Sequence, residues 1–356
     1  NAEQDILSRE IVLKQSQTSK VVRMLEGADL MSYATNVDII STNSKKLADK
    51  KNPVSAETSN LLKKDIDKAI EGNRKLYKDN LHKSLNTNLN TSQAYANAAG
   101  VNQVVVDNQD DYQKAYEESE IGKKQSVTDG YFDNVKDTDG FFDGSGNWYI
   151  NKEQALKTEA ISVGSHELLH GILKSTVQDE NGNLSNQGQK LVKEFMAKLS
   201  PRQQRVIQRR INANYRFQRD NDGNIMKDAE GKNIENDFKT YGEEYLNAYS
   251  DAIIKKELSL DESVADRLMN FFQGKFREKG INKNFEDGLD VYDFMKSYNR
   301  KIQAGEVDPE LVEMLKQSTN TQGAMRKSMS VIRRTGDLLT DVDALVNTNQ
   351  TKESFQ

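Results

Sequence analysis

The stretch "ISVGSHELLHGILKS", Ile161 to Ser175, decides how the rest of the chain is read. The 356 residues include only three histidines, and two of them, His166 and His170, stand four positions apart with Glu167 directly after the first. On an α-helix, residues at this spacing share a face, with Cβ atoms about 5–6 Å apart, so both imidazoles can reach one ion at about 2.0–2.1 Å. Glu167 projects to the flank of that face, in reach of a water the ion polarises but outside the ligand set. The pattern predicts a Zn2+ site with His166 and His170 as ligands and Glu167 as general base. Leu168, Leu169, Ile172 and Leu173 predict a buried helix, and Gly164 and Gly171 let neighbours approach it closely.

A catalytic zinc takes a third protein ligand and keeps a fourth position open. The chain has no cysteine, and the remaining histidine, His82, lies in the N-terminal helical part, so the third ligand is expected to be a carboxylate. "TYGEEYLNAYSDAI", Thr240 to Ile253, offers Glu243 and Glu244 on a helix whose Tyr245, Tyr249, Ala252 and Ile253 form an apolar stripe. Glu243 stands four residues before Asn247, which places a ligand and a supporting polar group on one face. Glu243 is therefore the preferred third ligand and Glu244 the alternative. Tyr241, Tyr245 and Tyr249 are read as core rather than as donors to a developing oxyanion.

Composition narrows the other possibilities. A net charge of -5 and a pI near 5.5 provide no field for phosphate neutralisation, so general nucleic-acid binding is not expected. No apolar run approaches the roughly 20 residues that span a bilayer, so a soluble chain without a membrane span is expected. Hydrophobic residues make up 35% and mean hydropathy is -0.81, polar enough to predict long exposed helices beside a compact part. The absence of cysteine suits any redox compartment, and localisation stays open.

Most of the chain has helical composition. "EQDILSREIVLKQSQTSKVVRMLEG" carries a loose helical pattern that Gly27 would close, and a polar, Asn- and Ser-rich stretch follows to Ser55. A long amphipathic stretch then begins at Ser55. "VNQVVVDNQ" is the strongest strand signal, and "GFFDGSGNWYIN" reads as a hairpin turning at Gly144 to Asn147. One helix from Lys152 to Ser175 follows, then helices at 185–199, 201–212 and 241–257 and further amphipathic segments. "DTDGFFDGSGN", "DENGN" and "DNDGN" read as turns rather than calcium loops, since none completes the closing glutamate. The basic run Met325 to Arg334 reads equally as a face that touches phosphate or a membrane surface and as a solvated helix face. These features predict an α+β, helix-dominated protein with a small sheet. Its domain of residues 91–256 lies between helical regions at 1–90 and 257–339, with a polar tail at 340–356.

"HELLH" followed far downstream by "EEYLN" resembles the gluzincin group of zinc metallopeptidases over about Val101 to Ile254. The resemblance implies a zincin-like metallopeptidase domain acting on a protein or peptide substrate, with His166, His170 and Glu243 as metal ligands and Glu167 as general base. That group often has an aspartate four residues after the ligating glutamate, where this chain has Asn247. The order of "GFFDGSGNWYINKEQA" and the motif helix also resembles such peptidases, which implies that Trp148 to Asn151 is an edge strand that pairs with extended substrate. Peptidase-like domains set in long helical, polar chains are similar to those inside large bacteriophage proteins. That likeness implies the alternative function, a virion-associated structural protein with an inactive zincin-like domain, part of a larger viral assembly.

Overall fold

A computed structural model describes residues 25–119, 123, 138–142, 147–179, 183–220, 224–258, 285 and 287–320. The stretch before Leu25, "DESVADRLMNFFQGKF", the basic run Met325 to Arg334 and the polar tail lie outside the described residues, as do the turn residues 143–146. The chain divides into two compact units, Asn1–Ser84 with Leu338–Gln356, and Leu85–Asp337.

In the first unit the Asn- and Ser-rich stretch is itself a helix, α1 (Gly27–Ala48), beside the first part of α2 (Ala56–Ala99). Gly27 takes φ +56° at the start of α1, a conformation that costs glycine little. The two helices are tied by polar contacts: Asn36 Nδ2 donates to Asn73 Oδ1 at 2.9 Å, and Asn80 Nδ2 to Asp29 Oδ2 at 3.1 Å. A small cluster of Leu25, Tyr77, Leu30 and Tyr33 supplies the apolar contact.

The second unit is helix-dominated around one mixed sheet, in agreement with the α+β expectation. Strands β1 (Asn102–Val106), β2 (Gly140–Phe142) and β3 (Asn147–Asn151) lie in the order β1-β3-β2. β2 and β3 pair antiparallel, as the hairpin reading predicts. β1 pairs parallel with the other side of β3, from Asn102 opposite Asn147 to Val106 opposite Asn151. β3 is therefore the central strand, which corrects the expectation that Trp148 to Asn151 forms an edge. Trp148 is fully buried and its Nε1 donates to Gln103 Oε1 at 2.8 Å. Between β1 and β2 lies α3 (Gln109–Glu118), whose Tyr112 and Tyr116 pack edge-on against Phe141.

The helix expected from Lys152 to Ser175 is two helices, α4 (Lys152–Lys157) and α5 (Val163–Val177). Between them Glu159 is left-handed at φ 55°, and Thr158 Oγ1 reaches Asp139 Oδ1 at 2.5 Å, anchoring the break to the residue before β2. The break lets α5 leave the sheet at a new angle and enter the core. Helices α6 (Asn186–Lys198), α7 (Pro201–Asn214), α8 (Phe238–Tyr241), α9 (Glu244–Ile254), α10 (Gly288–Ala304) and α11 (Pro309–Asn320) complete the described part of the unit. Ser200 caps α7 through a reciprocal bond with Gln203, with Pro201 in the first turn. Of the Asp- and Gly-rich segments read as turns, most inner residues lie outside the described ones; at the ends of two of them Asn183 N–H donates to Asp179 Oδ1 at 2.9 Å and Asn224 N–H to Asp220 Oδ1 at 2.8 Å, while Gly140–Phe142 of the third is β2.

Helix α5 is the axis of this unit. Its residues 163–173 are all buried. On one side Gly164 lies so close to α2 that an added Cβ would meet Ser92 Oγ at 2.3 Å, and Asn88 Nδ2 donates to Ser165 Oγ at 2.8 Å. On another, α11 packs along α5, with Leu315 Cδ1 at 2.7 Å from where a Cβ on Gly171 would stand. The glycines are where two helices approach the motif helix within ordinary side-chain distance. Tyr298 of α10 donates its hydroxyl to the Ser165 carbonyl, and α9 covers the histidine face.

Candidate metal centre

The three motif residues divide between two faces of α5. His166 and His170 turn toward α9, and their Nε2 atoms face each other at 3.2 Å. Glu244, the first residue of α9, spans the pair, with Oε2 at 3.5 Å from His166 Nε2 and Oε1 at 3.4 Å from His170 Nε2. These atoms belong to the group His166, His170 and Glu244, whose potential ligand atoms lie within 4.8 Å of one another. A tetrahedral ion with bonds of about 2.0–2.1 Å has ligand-to-ligand edges of about 3.3 Å. The two nitrogens stand near that distance from each other, at 3.2 Å, and each Glu244 oxygen stands near it from one of them, at 3.4 and 3.5 Å, so these residue types fit a metal ion of zinc's ligand preference.

Glu243 does not stand in this group. It precedes α9 as its N-cap residue, and its Oε1 lies 2.9 Å from Nδ1 of His170, the nitrogen on the far side of the ring from the facing pair. Its other oxygen accepts from Gln178 Nε2. The structure thus brings Glu244, the alternative of the two, into the group that could hold a metal, and places Glu243, the preferred one, at the back of the His170 ring. The physical reason is helical: residues 243, 247 and 251 follow one another at i, i+4 and i+8 along one line. That line runs behind the imidazoles, while residue 244, one step around, reaches their front.

The same line brings in a residue that sequence reasoning missed. Asp251 Oδ2 lies 3.3 Å from His166 Nδ1, and its Oδ1 accepts from Ser162 Oγ at 2.6 Å, at the N-cap position of α5. Each imidazole therefore has its own carboxylate on Nδ1: Asp251 for His166 and Glu243 for His170. A carboxylate there fixes the tautomer with the proton on Nδ1 and leaves Nε2 to a metal. Asn247 occupies the middle of the line. Its Nδ2 lies 3.2 Å from Nδ1 and 3.0 Å from Nε2 of His170 and donates to Glu244 Oε2 at 3.4 Å. A near-equal approach to both ring nitrogens means that the amide packs on the ring and steadies Glu244. One short helix thus carries a ligand-type carboxylate and a partner for each of the three donors.

The cluster is buried: exposures are 2% for His166, 5% for His170, 1% for Glu243 and 7% for Glu244. Burial alone would push the His166 imidazole down, but the carboxylates of Asp251, Glu244 and Glu167 outweigh it and raise its pKa to about 10. For His170, too, burial is overcome, by Glu244 and Glu243, and the shift is upward. Asp251 is held below its ordinary value: burial opposes this, and the His166 charge and hydrogen bond prevail. The pocket therefore favours cations, and in metal-free protein a proton supplies that charge.

Glu167 leaves the helix one step around from this face, on the flank that meets the sheet. It is fully buried, and a Cβ on Gly140 would stand 3.6 Å from its Oε1 and Cγ and 2.7 Å from the Tyr149 carbonyl oxygen. Only a bare backbone fits beside the Tyr149 carbonyl of β3, and "DGFF" there brings the start of β2 into van der Waals range of the expected general base. Tyr245 and Tyr249 behave as core: Tyr245 donates to Gln208 Oε1 at 3.1 Å, and Tyr249 stands edge-on to Phe195 at 5.4 Å between centroids. No helix among the described residues is long and apolar enough to cross a membrane. No family model, curated protein or solved structure matches this chain.

Proposed function

We propose that this chain is a zinc-dependent metallopeptidase of zincin-like architecture, with the metal on His166, His170 and Glu244. The observation that carries the reading is the front-and-back arrangement of α5 and α9. The two Nε2 atoms face each other with a Glu244 oxygen beside each, and each imidazole is braced from behind by its own carboxylate. Zinc, when bound, acts as a Lewis acid that polarises a carbonyl and makes a water acidic near neutral pH.

The residues divide the remaining work. Asp251 and Glu243 hold the imidazoles with Nδ1 protonated and Nε2 free, and Asn247 steadies Glu244. Glu167, on the flank of the motif, takes the proton from the attacking water and returns it to the leaving amine. Burial keeps bulk water from competing for that proton. The substrate strand moves from β3 to β2: among the described residues β2 pairs only with β3, and its other edge is offered to an extended peptide beside Glu167.

The test is direct. Purified full-length protein is expected to hold about one zinc per chain and to cleave casein in a chelator-sensitive manner. The Glu167→Gln protein should keep its zinc and lose cleavage, because the residue is not a ligand. Absence of zinc, together with stability unchanged by chelator, would sink the metal reading. Zinc without cleavage would leave an inert zincin-like domain in a structural protein.

A further inference from the structure

Away from the metal cluster, a groove of about 600 Å3 lies between α6, α7 and the α8–α9 segment. Its floor is Val192 and Met196 of α6, and its wall is Phe238 and Tyr245, whose ring centroids stand 6.0 Å apart. Its rim carries two cations, Lys193 and Arg205, both exposed. Lys193 Nζ stands 5.1 Å above the Phe238 ring, so its charge is held over the groove by the aromatic face. Among the described residues no carboxylate lines the groove, although the chain as a whole is acidic at -5. An apolar floor of this size, with a few convergent charges of one sign, has the form of a binding site.

We infer that this groove binds a peptide segment in which an acidic side chain neighbours an aromatic or large aliphatic one. The apolar residue enters between Phe238, Tyr245 and Met196, and the carboxylate meets Lys193 and Arg205. An acidic partner is the one the charges select. A neutral apolar segment would leave two cations at the rim unused, and a basic segment would be repelled by them. The site is independent of the metal cluster and of whether that cluster is catalytic.

Binding is read by fluorescence anisotropy on the full chain carrying Glu167→Gln, so that no probe is consumed. The probe is a fluorescein-labelled short peptide alternating Glu with Phe. Two controls replace Glu by Gln or Phe by Ser. The acidic, aromatic peptide is expected to bind, both controls to bind at least about tenfold more weakly, and added salt to weaken binding. Lys193→Glu with Arg205→Glu, both at exposed positions, should cost at least about tenfold while near-ultraviolet circular dichroism is unchanged. Met196→Glu should abolish binding from the floor. Equal binding of the Gln control, an affinity unmoved by the charge reversals, or no binding of any probe would each overturn the assignment, and none of them bears on zinc content or cleavage.

Discussion

Glu243 and Glu244 are neighbours in sequence with the same side chain, yet replacing each by glutamine should have different effects on metal binding. Glu244 presents both oxygens to the facing Nε2 atoms, at 3.4 and 3.5 Å, and it supplies the carboxylate of the donor group. Glu244→Gln keeps the shape but removes the anionic donor, and no other glutamate or aspartate belongs to that group among the described residues. Glu243→Gln keeps an oxygen able to accept from His170 Nδ1, where the present contact is 2.9 Å, and loses only the charge behind the ring. Removing a partner of this kind costs about 10- to 100-fold in metal affinity, or about 1.4–2.8 kcal/mol, and the retained acceptor puts Glu243→Gln near the lower figure. Loss of the ligand itself should exceed the upper figure. The two variants are thus predicted to differ by at least about tenfold in zinc affinity, read by competition with a chromophoric chelator at fixed pH. If Glu243→Gln loses more zinc than Glu244→Gln, the front-and-back assignment of α9 is wrong.

Further predictions rest on other parts of the cluster. Asp251→Asn should weaken zinc by about 10- to 100-fold and should lower the His166 pKa, measured by NMR titration of the metal-free protein, since Asp251 is the foremost of the carboxylates that raise it. The 3.2 Å contact between Nε2 atoms requires one ring to donate and the other to accept, so metal-free protein carries a proton there. Zinc binding at pH 7 should release about one proton, seen as a buffer-dependent heat in calorimetry. The raised His166 pKa, about 10 against 6.5, stabilises the metal-free fold fully below pH 6.5 and loses its effect as pH rises toward 10. The lowered Asp251 pKa contributes above 3.8 and is lost as pH falls further. The gap in melting temperature between zinc-loaded and chelated protein should therefore widen as pH rises above 6.5. Gly140→Ala should destabilise by about 1–3 kcal/mol in urea titrations, because its Cβ would meet the Tyr149 carbonyl at 2.7 Å.

Much of the fold was legible because local chemistry decided it. β1 was visible as a β-branched run, the hairpin as aromatic pairs about a Gly-rich turn, and α7 as Ser200 followed by Pro201. The break between α4 and α5 was not legible, because "LKTEAISV" holds no glycine or proline. What bends it is tertiary: Thr158 bonded to Asp139, with Glu159 in a left-handed conformation. The central place of β3 was hidden for a similar reason. Its second partner, β1, lies about forty residues upstream, and alternation within a strand says which side chains are buried but not how many neighbours the strand has.

The site shows where sequence periodicity stops being informative. Spacing four on α5 put His166 and His170 on one face, and spacing four on α9 correctly put Glu243 and Asn247 on another. Periodicity states which residues share a face, but a metal site between two helices also depends on how far each is rotated about its own axis. A rotation of one residue, about 100°, exchanges Glu243 for Glu244 at the front of the imidazoles. The packing that sets it is spread over α5's other contacts, from Gly164 against Ser92 to Gly171 against Leu315, none of which the motif encodes. One sequence signal did survive. Continuing the line from Glu243 through Asn247 by a further four residues reaches Asp251, and a third polar residue in register on an otherwise apolar helix has no use in a core except to meet another buried polar group. Three such residues in line mark the face that braces the histidines. The ligand should then be sought one position to the side of that line, where the only carboxylate adjoining it in the first turn is Glu244.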